Sequence, residues 1–356
     1  MNIVIKVGTQ SILTSDGSPV KSILTFLVEQ IYDLKESGHN VILVSSGAVA
    51  SGRKVANDKV QKLNFNSVGG KQLLASLGQP KLMHIYSNLF KTRKILVSQL
   101  LLTKQDFLTR QHYLNIARLL HELLKHTNIV PIINENDSVA IEELMFTDND
   151  ELAGLIAAQI NADRLIILTN VDGVYTGHPD EAGSKLITVI DPNERWPTIS
   201  TSKSALGRGG MFSKLHTARK MAGLGINTTI ANINQPKSIM DIINRKNIGT
   251  TILAKKKQSN IKRWIAYHAD KKLGSIIINN NLMSLLRETN RILSILPIGI
   301  EKSAGEFQKG DLIDIYSLNN DRIGVGIAKY DSKKLVENLG EKDKPAFIHY
   351  DQLHIF

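Results

Sequence analysis

The sequence predicts an α/β protein with a mostly parallel sheet between helices, followed by a small, mainly β domain. Short apolar runs alternate with longer amphipathic stretches through the first 250 residues. These runs are β-branched and apolar at consecutive positions, as expected of strands that are covered on both faces. Beyond a polar segment, short strand-like runs separated by Gly, Asn and Asp turns take over. The length of 356 residues is typical of two or three domains.

The alternation predicts six strands and five helices in the first part of the chain. The predicted strands are Ile3–Val7, Val41–Val44, Ile95–Val97, Ile129–Ile133, Leu165–Thr169 and Thr228–Ala231. The predicted helices are Val20–Glu36, Lys71–Phe90, Thr109–Lys125, Glu151–Ile160 and Met211–Ala222. Ligands of such sheets bind at the carboxyl ends of the strands. The residues that follow each strand are therefore the candidates for a functional site.

The segment 255–261 is predicted to be a linker because it is polar, charged and without periodicity. It separates a predicted domain at 1–254 from a second one at 262–356. The predicted strands of the second domain are Ser275–Ile278, Arg291–Leu296, Leu312–Tyr316, Ile323–Ala328 and Phe347–His349.

The composition excludes several classes of protein. Hydrophobic residues make up 42% and charged residues 22% of the chain, as in an ordinary globular protein. Cysteine is absent, which excludes disulfide frameworks, thiolate nucleophiles and cysteine-ligated metal centres. No run approaches the ~18 consecutive apolar residues of a membrane span, and the start of the chain does not resemble a signal peptide. We therefore expect a cytoplasmic protein without a membrane partner, whose net charge of +11 favours phosphate-bearing ligands.

The common phosphate and metal motifs are missing. The sequence contains neither G-x-x-x-x-G-K-[ST] nor G-x-G-x-x-G after a predicted strand. The pair His121-Glu122 lacks the second histidine of a zinc protease motif, so we expect it on a solvated helix face. We assign no side chain as a metal ligand.

Two polar clusters follow the first two predicted strands. Lys6 lies beside Gly8, where an ammonium group and a close backbone can meet phosphate oxygens. A strand lysine that reaches solvent is an equally good interpretation. The run S-S-G-A-V-A-S-G at 45–52 leads from a strand into a helix whose N–H groups can hold an anion. Turns of this composition are common, so the second signal is weak by itself.

A third cluster gathers four carboxylates and three amides. The run Asn134–Asp137 follows one predicted strand, and Asp148–Asp150 precedes a predicted helix. One or two of these side chains suit a helix cap, but capping does not need so many. We expect Asp137 to pair with a cationic group, Asn149 to donate to an anion, and Asp150 to hold lysines in place.

The fourth cluster is glycine-rich and opens a predicted helix with L-G-R-G-G-M-F-S-K at 206–214. Its N–H groups can surround a phosphate, although an ordinary loop is an equally good interpretation of the glycines. Lys214 lies in the first turn of the helix, where negative charge is usually preferred. A cation at this position is explained if an anion occupies the end of the helix.

Taken in order, the clusters resemble the motifs of the amino acid kinase family over nearly all of residues 1–250. The resemblance is to those members that phosphorylate glutamate and carry a C-terminal PUA domain, which Lys262–Ile265 and Ser294–Ile300 resemble. The motifs are I-K-V-G-T (5–9), V-S-S-G-A-V-A-S-G (44–52), K-Q-L-L-A-S-L-G-Q (71–79), P-I-I-N-E-N-D-S-V-A (131–140), T-D-N-D-E-L-A (147–153), L-T-N-V-D-G-V-Y-T (168–176) and G-R-G-G-M-F-S-K (207–214).

The resemblance implies the amino acid kinase fold and ATP-dependent phosphorylation of the γ-carboxylate of L-glutamate to L-glutamyl 5-phosphate, the first step of proline biosynthesis. The catalytic residues that it implies are Lys6, Lys214 and Asp150, with Asp150 orienting the lysines. The glutamate-binding residues that it implies are Ser46, Asp137 and Asn149. The nucleotide-binding residues that it implies are Lys6, Thr169, Asn170, Arg208, Gly209, Gly210, Met211, Phe212, Ser213 and Lys214.

This chemistry agrees with the residue types. A γ-carboxylate has a reference pKa of ~4.3 and is ionised at neutral pH, so no general base is needed. Phosphoryl transfer then requires positioning and neutralisation of charge, which two lysines, N–H donors and Mg²⁺ bound mainly through ATP supply. A carboxylate at Asp137 suits the α-ammonium group of free glutamate, so we expect N-acetylglutamate to be a poor substrate.

Further expectations come from the resemblance alone. It implies L-proline as a feedback inhibitor, transfer of the product to glutamyl phosphate reductase, and a homo-oligomer, commonly a tetramer. Three residues depart from those common in the family: Met145, Asn170 and Arg208. Arg208 would add positive charge near the triphosphate, whereas the other two bring individual substrate or nucleotide contacts into question.

Two alternatives remain open. One is another relative within the family, such as an acetylglutamate, aspartate, carbamate or uridylate kinase. The other is an RNA-binding protein that acts through the PUA domain. Residues 251–356 hold 17 Lys and Arg against 12 Asp and Glu, which favours RNA only weakly. We prefer an enzyme in which the PUA domain adjusts assembly or inhibition.

Overall fold

The structure, a computed structural model, describes residues 1–56, 64, 67–107, 110–140, 148–181, 183–194, 196–197, 210–255, 274–287 and 293–355. The chain divides into two compact units, of which the first consists of residues 1–107 and 112–257 and the second includes residues 258–356. Of the predicted linker, only Lys255 is described, so the domain bounds 1–254 and 262–356 stay a prediction. Within the described ranges, no helix has both the length and the apolar character that crossing a membrane requires.

The first unit contains a twisted parallel sheet with helices packed against it. Its described strands are β1 (Asn2–Val7), β2 (Asn40–Ser45), β3 (Leu96–Leu102), β4 (Ile129–Glu135), β5 (Arg164–Thr169), β6 (Val174–Tyr175), β7 (Leu186–Ile187), β8 (Val189–Ile190), β9 (Asn227–Asn232) and β10 (Thr250–Ile252). Its described helices are α1 (Thr9–Ile12), α2 (Lys21–Glu36), α3 (Ala48–Ala56), α4 (Val68–Lys91), α5 (Arg110–Leu124), α6 (Asn149–Gln159), α7 (Met211–Gly223) and α8 (Ser238–Ile243).

Eight of these strands form one sheet in the order β3-β4-β2-β1-β5-β9-β10-β8. The strands from β3 to β9 in that order are parallel to one another. Strand β10 runs antiparallel to β9, and β8 runs parallel to β10. Strands β6 and β7 form a separate antiparallel pair. The carboxyl ends of β1, β2, β4 and β5 therefore lie along one edge of the sheet, where ligands of such folds bind.

Every strand and helix predicted in the first unit is present. Strand β4 begins at the predicted Ile129, and α7 begins at the predicted Met211. The largest difference is β3, which continues to Leu102 although its end was predicted at Val97. This strand lies at the edge of the sheet, where polar residues such as Ser98 are tolerated and interrupt the apolar pattern. Strands β6, β7, β8 and β10 were not predicted, because two or three residues are too few to establish a period.

The two faces of β1 are buried against different helices. Ile3, Ile5 and Val7 join the core that α2 contributes to, and each is fully buried. The intervening side chain Lys6 faces the opposite side, where it reaches α6. Alternation along a strand sends successive side chains to opposite faces. A charged residue can therefore occupy a central strand without entering the main apolar core.

Glycines allow α3 and α4 to pack with their backbones in contact. A Cβ atom at Gly78 would lie 1.8 Å from the carbonyl oxygen of Ala48, and one at Gly52 would lie 1.9 Å from that of Leu74. Gly47, which connects β2 to α3, has a φ of +112°, a conformation that L side chains rarely adopt. This packing fixes the start of α3 beside the carboxyl end of β2.

The described part of the second unit contains a mixed sheet and two short helices. Its described strands are β11 (Gly274–Ile278), β12 (Ile300–Ala304), β13 (Leu312–Tyr316), β14 (Arg322–Ile327) and β15 (Leu353–Ile355), in the sheet order β12-β11-β13-β14-β15. The helices are α9 (Asn280–Arg287) and α10 (Ser332–Asn338). The rings of Phe307, Phe347 and Tyr330 pack together in its core, with centroids 5.7 and 5.3 Å apart.

Three of the five predicted strands of this unit correspond to β11, β13 and β14. The other two predictions were wrong in the described residues, because Ile295 and Ile348 form only an isolated antiparallel bridge. Short 3₁₀ turns at Pro297–Gly299 and Tyr350–Gln352 follow the bridging residues and end the extended segments. Strand β12 was not predicted, since its exposed Glu301 and Lys302 interrupt the apolar pattern.

Replacing Gly78 with alanine tests the close packing of α3 and α4. We expect Gly78→Ala to lower the free energy of unfolding by about 1–3 kcal/mol, because the added methyl group meets backbone atoms that cannot rotate away. Gly69→Ala on the same helix is the control, since its Cβ meets no atom within 4 Å. That control should raise stability by about 0.5–1 kcal/mol. Urea denaturation of both variants makes the comparison, and equal effects would contradict the packing described.

Candidate functional site

Three charged side chains from distant parts of the chain meet beside the carboxyl end of β1. Lys6 of β1 places its Nζ 2.7 Å from Oδ1 of Asp150, and Lys214 of α7 places its Nζ 2.9 Å from Oδ2. We call these residues the Lys–Asp–Lys cluster. Asp150 is fully buried, and the two lysines are 4% and 8% exposed. The structure therefore brings together all three residues that were predicted to be catalytic.

Burial and charge act in opposite directions on the carboxylates of this cluster. Burial would raise the pKa of the Asp150 carboxyl, but Lys6 and Lys214 outweigh it and hold this pKa below its ordinary value. For Asp148 the balance is reversed, since burial and then the negative charge of Asp150 raise its pKa against weaker effects of Ser213 and the lysines. One carboxylate thus serves two ammonium groups, which leaves positive charge available to an anion.

The Lys214 ammonium group also explains an unusual feature of α7. A cation in the first turn of a helix is unfavourable with respect to the helix dipole. From the sequence alone, an anion bound at the end of the helix was the explanation offered for it. In the structure the positive charge of Lys214 is compensated by Asp150, whose Oδ2 accepts a hydrogen bond from the ammonium group.

A glycine one turn along α6 permits the approach of α6 and α7 that the cluster needs. A Cβ atom at Gly154 would lie 2.9 Å from Cγ2 of Thr217 and 3.4 Å from Cε of Met221. Gly154 is four residues after Asp150, and Thr217 is three residues after Lys214, so each pair shares a helix face. The glycine therefore lies one helical turn from the ion pair. It allows α6 and α7 to be close enough for Asp150 and Lys214 to meet.

A second, uncharged cluster adjoins the first at the start of α6. The Asn149 amide nitrogen donates to Oγ of Ser46 at 2.7 Å and to Oδ1 of Asn134 at 2.9 Å. Asn134 in turn donates from Nδ2 to Oε1 of Gln79 on α4 at 2.9 Å. This arrangement differs from the expectation that Asn149 donates to an anion, because both of its amide hydrogens are already used within the protein.

The remaining predicted residues lie along the same edge of the sheet or at the start of α7. Thr169 is the last residue of β5, and Asn170 donates from Nδ2 to the carbonyl oxygen of Gln10 at 3.2 Å. Asp137 is half-buried in the turn that follows β4. Gly210 precedes α7 as its N-cap, and the first turn carries the predicted Met211, Phe212 and Ser213. The Phe212 ring is 60% exposed and stacks on His216.

Two predicted nucleotide-binding residues, Arg208 and Gly209, lie outside the described residues, as does Met145. Their assignments stay predictions.

Reasoning from the sequence missed Gln79 and did not assign a role to Asn134. Both side chains are buried, with exposures of 7% and 1%. The available signal was a polar residue among buried apolar ones, Gln79 on α4 and Asn134 near the end of β4, since buried amides require hydrogen-bond partners. Asp148 was noted only as a member of the acidic cluster, and it proves to cap α6 by accepting from the N–H groups of Asp150 and Glu151.

The donor set of the site suits a metal ion that is held mainly by a phosphorylated ligand. In the described residues no three His, Cys, Asp or Glu side chains are grouped as metal ligands. Both oxygens of Asp150 are within 2.9 Å of a lysine, whereas the cap of α6 uses only Oδ1 of Asp148. Mg²⁺ commonly binds through one or two carboxylates together with substrate phosphates and water. The residues present are compatible with that mode of binding.

Comparison with known families identifies both parts of the chain. The model of the amino acid kinase family matches residues 1–232, and the model of the PUA domain matches residues 274–344.

Curated relatives match the chain over nearly its whole length. A glutamate 5-kinase of Chlorobaculum tepidum is 42% identical over 99% of this chain and 97% of its own length. A glutamate 5-kinase of Bacteroides thetaiotaomicron is 40% identical over 99% of this chain and 98% of its own length. Among solved structures, the isopentenyl phosphate kinase of T. acidophilum in a product complex matches with a TM-score of 0.51 and 17% identity, covering 71% of this chain and 100% of that one. This last likeness concerns the fold alone.

Substitutions at Asp148 separate its capping role from its charge. Asparagine can accept the same N–H groups, so we expect Asp148→Asn to keep the α6 cap and to remove repulsion from Asp150. Its free energy of unfolding at about pH 7 should equal or exceed that of the wild type, because a carboxyl whose pKa is raised by folding loses its stabilising effect as pH rises. Asp148→Ala should lose about 0.5–2 kcal/mol with the cap.

Chemical denaturation near pH 4, the ordinary pKa of an aspartate, and near pH 7 measures both effects. The advantage of Asp148→Asn over the wild type should grow between these two values. If Asp148→Asn were as destabilised as Asp148→Ala at both pH values, the proposed repulsion between Asp148 and Asp150 would be contradicted.

Proposed function

The chain belongs to the amino acid kinase family, within its glutamate 5-kinase group, and from this premise we propose how its residues carry out the reaction. The enzyme phosphorylates the γ-carboxylate of L-glutamate with ATP and forms L-glutamyl 5-phosphate, the first step of proline biosynthesis. The observation that carries the proposal is the Lys–Asp–Lys cluster, in which Lys6 and Lys214 are held by one buried carboxylate. These two ammonium groups bind the transferring phosphoryl group and stabilise its negative charge.

The reaction needs no general base. The attacking carboxylate has a reference pKa of ~4.3 and is ionised at neutral pH. Two anions must instead be brought together, and the main obstacle is their mutual repulsion. Lys6 and Lys214 offset this repulsion from a buried position, where electrostatic interactions are stronger than in water. Asp150 acts as a positioning residue that keeps both ammonium groups at the same point.

The nucleotide is proposed to bind at the start of α7 and along the carboxyl end of β5. Gly210 and the first turn of α7 supply N–H groups to its phosphates, and Thr169 and Asn170 border the same edge of the sheet. Mg²⁺, bound mainly through ATP, would neutralise phosphate charge, with Asp148 as a carboxylate close to the Lys–Asp–Lys cluster. Arg208 and Gly209 are proposed to contact the phosphates as well.

The substrate is proposed to be free L-glutamate, held by Ser46, Asp137 and Asn149. The half-buried Asp137 carboxylate is the natural partner of an α-ammonium group. N-acetylglutamate carries a neutral amide there and offers no positive charge to this carboxylate. This distinguishes the proposed substrate from that of an acetylglutamate kinase.

The broader assignments are also proposals. We propose a catalytic domain at 1–254, a linker at 255–261 and a PUA domain at 262–356. L-proline is proposed as feedback inhibitor, glutamyl phosphate reductase as the enzyme that receives the labile product, and a cytoplasmic homo-oligomer such as a tetramer as the working form. We do not propose a dedicated RNA-binding function, because relatives that match the whole chain are kinases by name.

Alanine substitutions at the lysines test the proposed catalytic roles. We expect Lys6→Ala and Lys214→Ala each to lower kcat by about 10²-fold or more, with smaller changes in KM, because these charges act mainly in the transition state. Glutamate-dependent ATP consumption, with the acyl phosphate trapped by hydroxylamine, measures turnover.

Lys246→Ala is the matched control, since Lys246 is an exposed lysine that pairs with Asp241 at 2.8 Å. It should retain the activity of the wild type. Near-normal turnover in both variants of the cluster would refute the assigned roles.

A substitution at Asp137 tests the choice of substrate. The wild type should use N-acetylglutamate at least about 10²-fold less efficiently than glutamate, because the neutral amide forms no charge pair with the Asp137 carboxylate. Asp137→Asn should raise KM for glutamate and reduce the ratio of kcat/KM for glutamate to kcat/KM for N-acetylglutamate. Comparable kcat/KM for both substrates in the wild type would contradict the proposal.

A further inference from the structure

A chain of side-chain amides, of which Asn134 and Gln79 are buried, leads from the start of α6 to α4. Asn149 donates to Asn134 at 2.9 Å, and Asn134 donates to Gln79 at 2.9 Å. We call these three residues the amide relay. They come from α6, β4 and α4, so the relay connects three elements of the first unit. Each partner is an amide, and each amide has one end that donates and one that accepts.

The direction in which hydrogen bonds are donated along the relay is fixed by a backbone N–H group, which can only donate. The backbone N–H of Glu135 donates to Oδ1 of Asn134 at 2.9 Å. A backbone N–H can only donate, so the oxygen of the Asn134 amide must face it. The nitrogen of that amide must then face Gln79, which meets it with Oε1. Gln79 therefore supplies the acceptor that completes this orientation of Asn134.

The same direction is imposed on Asn149. Its Nδ2 approaches the oxygen of Asn134, and its second amide hydrogen goes to Oγ of Ser46 at 2.7 Å. Within the described residues, Oδ1 of Asn149 has no hydrogen-bond partner, although it is shielded from solvent. A buried acceptor without a partner is unfavourable, so a ligand that donates to it gains binding free energy.

The hydrogen bond from Asn149 also decides what the Ser46 hydroxyl group can offer a ligand. Its oxygen is occupied as an acceptor by Asn149, and its hydroxyl hydrogen reaches no acceptor among the described residues. A hydroxyl group can accept and donate at once. The relay thus leaves one acceptor at Asn149 and one donor at Ser46, which suits a ligand that carries both an ammonium group and a carboxylate.

We propose that Gln79 and Asn134 are positioning residues that hold Asn149 with its oxygen towards the α-ammonium group of the substrate and leave the Ser46 hydroxyl to donate to a substrate carboxylate. The inference rests on the proposed function, since it takes an amino acid as the substrate. It reverses the polarity expected for Asn149 from the sequence, and it gives Gln79, which lies on α4 outside the Lys–Asp–Lys cluster, a part in substrate selectivity.

The test replaces Gln79 with a side chain of similar length that accepts hydrogen bonds poorly. Gln79→Met should raise KM for glutamate about tenfold and leave kcat and KM for ATP within about threefold of the wild type, because ground-state binding is lost while the Lys–Asp–Lys cluster is intact. The preference for glutamate over glutarate, which lacks the ammonium group, should fall about tenfold in kcat/KM.

A conservative variant and a matched control separate positioning from mere packing. Gln79→Glu retains an acceptor for Asn134, so its KM and its preference for glutamate should stay closer to the wild type than those of Gln79→Met. Gln30→Met removes a buried acceptor elsewhere in the same unit, where Gln30 accepts from the N–H of Ile239 at 2.8 Å. It should lower thermal stability without changing KM for glutamate. Gln79→Leu provides the same test if the methionine variant does not fold.

The outcomes distinguish this inference from the proposed function. A folded Gln79→Met enzyme with unchanged KM and unchanged preference over glutarate would overturn the relay, as would an equal rise of KM in Gln30→Met. A wild-type enzyme that forms no hydroxamate with glutamate would instead overturn the proposed function. Selective loss in Gln79→Met with recovery in Gln79→Glu would support the relay.

Discussion

The site depends on one buried carboxylate that is shared by two ammonium groups. Lys6 and Lys214 are each within 2.9 Å of Asp150, and their positive charges would repel one another without it. Removing one partner of such a buried group is typically strongly unfavourable, by about 3–5 kcal/mol. The arrangement joins β1, α6 and α7, so the electrostatic centre of the site is also a structural connection between three elements.

Three consecutive residues at the start of α6 perform three different tasks. Asp148 caps the helix, Asn149 joins the amide relay, and Asp150 binds the lysines. Successive side chains of a helix point about 100° apart, which separates these tasks in space although they are adjacent in sequence. Charged and neutral parts of the site can therefore lie side by side. The glycine at position 154 completes the arrangement by allowing α7 to approach α6.

The central elements of the first unit were predictable because each has a strong local signal. Strands β1, β4 and β5 are buried on both faces and carry apolar runs, which in β1 only Lys6 interrupts. Their predicted and observed bounds differ by at most two residues at either end. Strands β10 and β12 were missed for different reasons. Strand β10 has only three residues, whereas β12 lies at the edge of its sheet and contains exposed charged residues that interrupt its apolar pattern. In both cases hydrogen bonds to neighbouring strands, rather than local pattern, create the strand.

The sequence by itself determined which chemical groups are available: lysines beside glycine turns, an acidic and amide-rich segment, and the order of motifs that marks the amino acid kinase family. Only the tertiary structure decided that Lys6 and Lys214, more than 200 residues apart in the chain, meet at one carboxylate. It alone decided the polarity of Asn149, through Asn134 and Gln79. The physical reason is that hydrogen-bond direction and charge compensation depend on which groups face each other, and helix packing brings those groups together from sequence positions that carry no mutual signal.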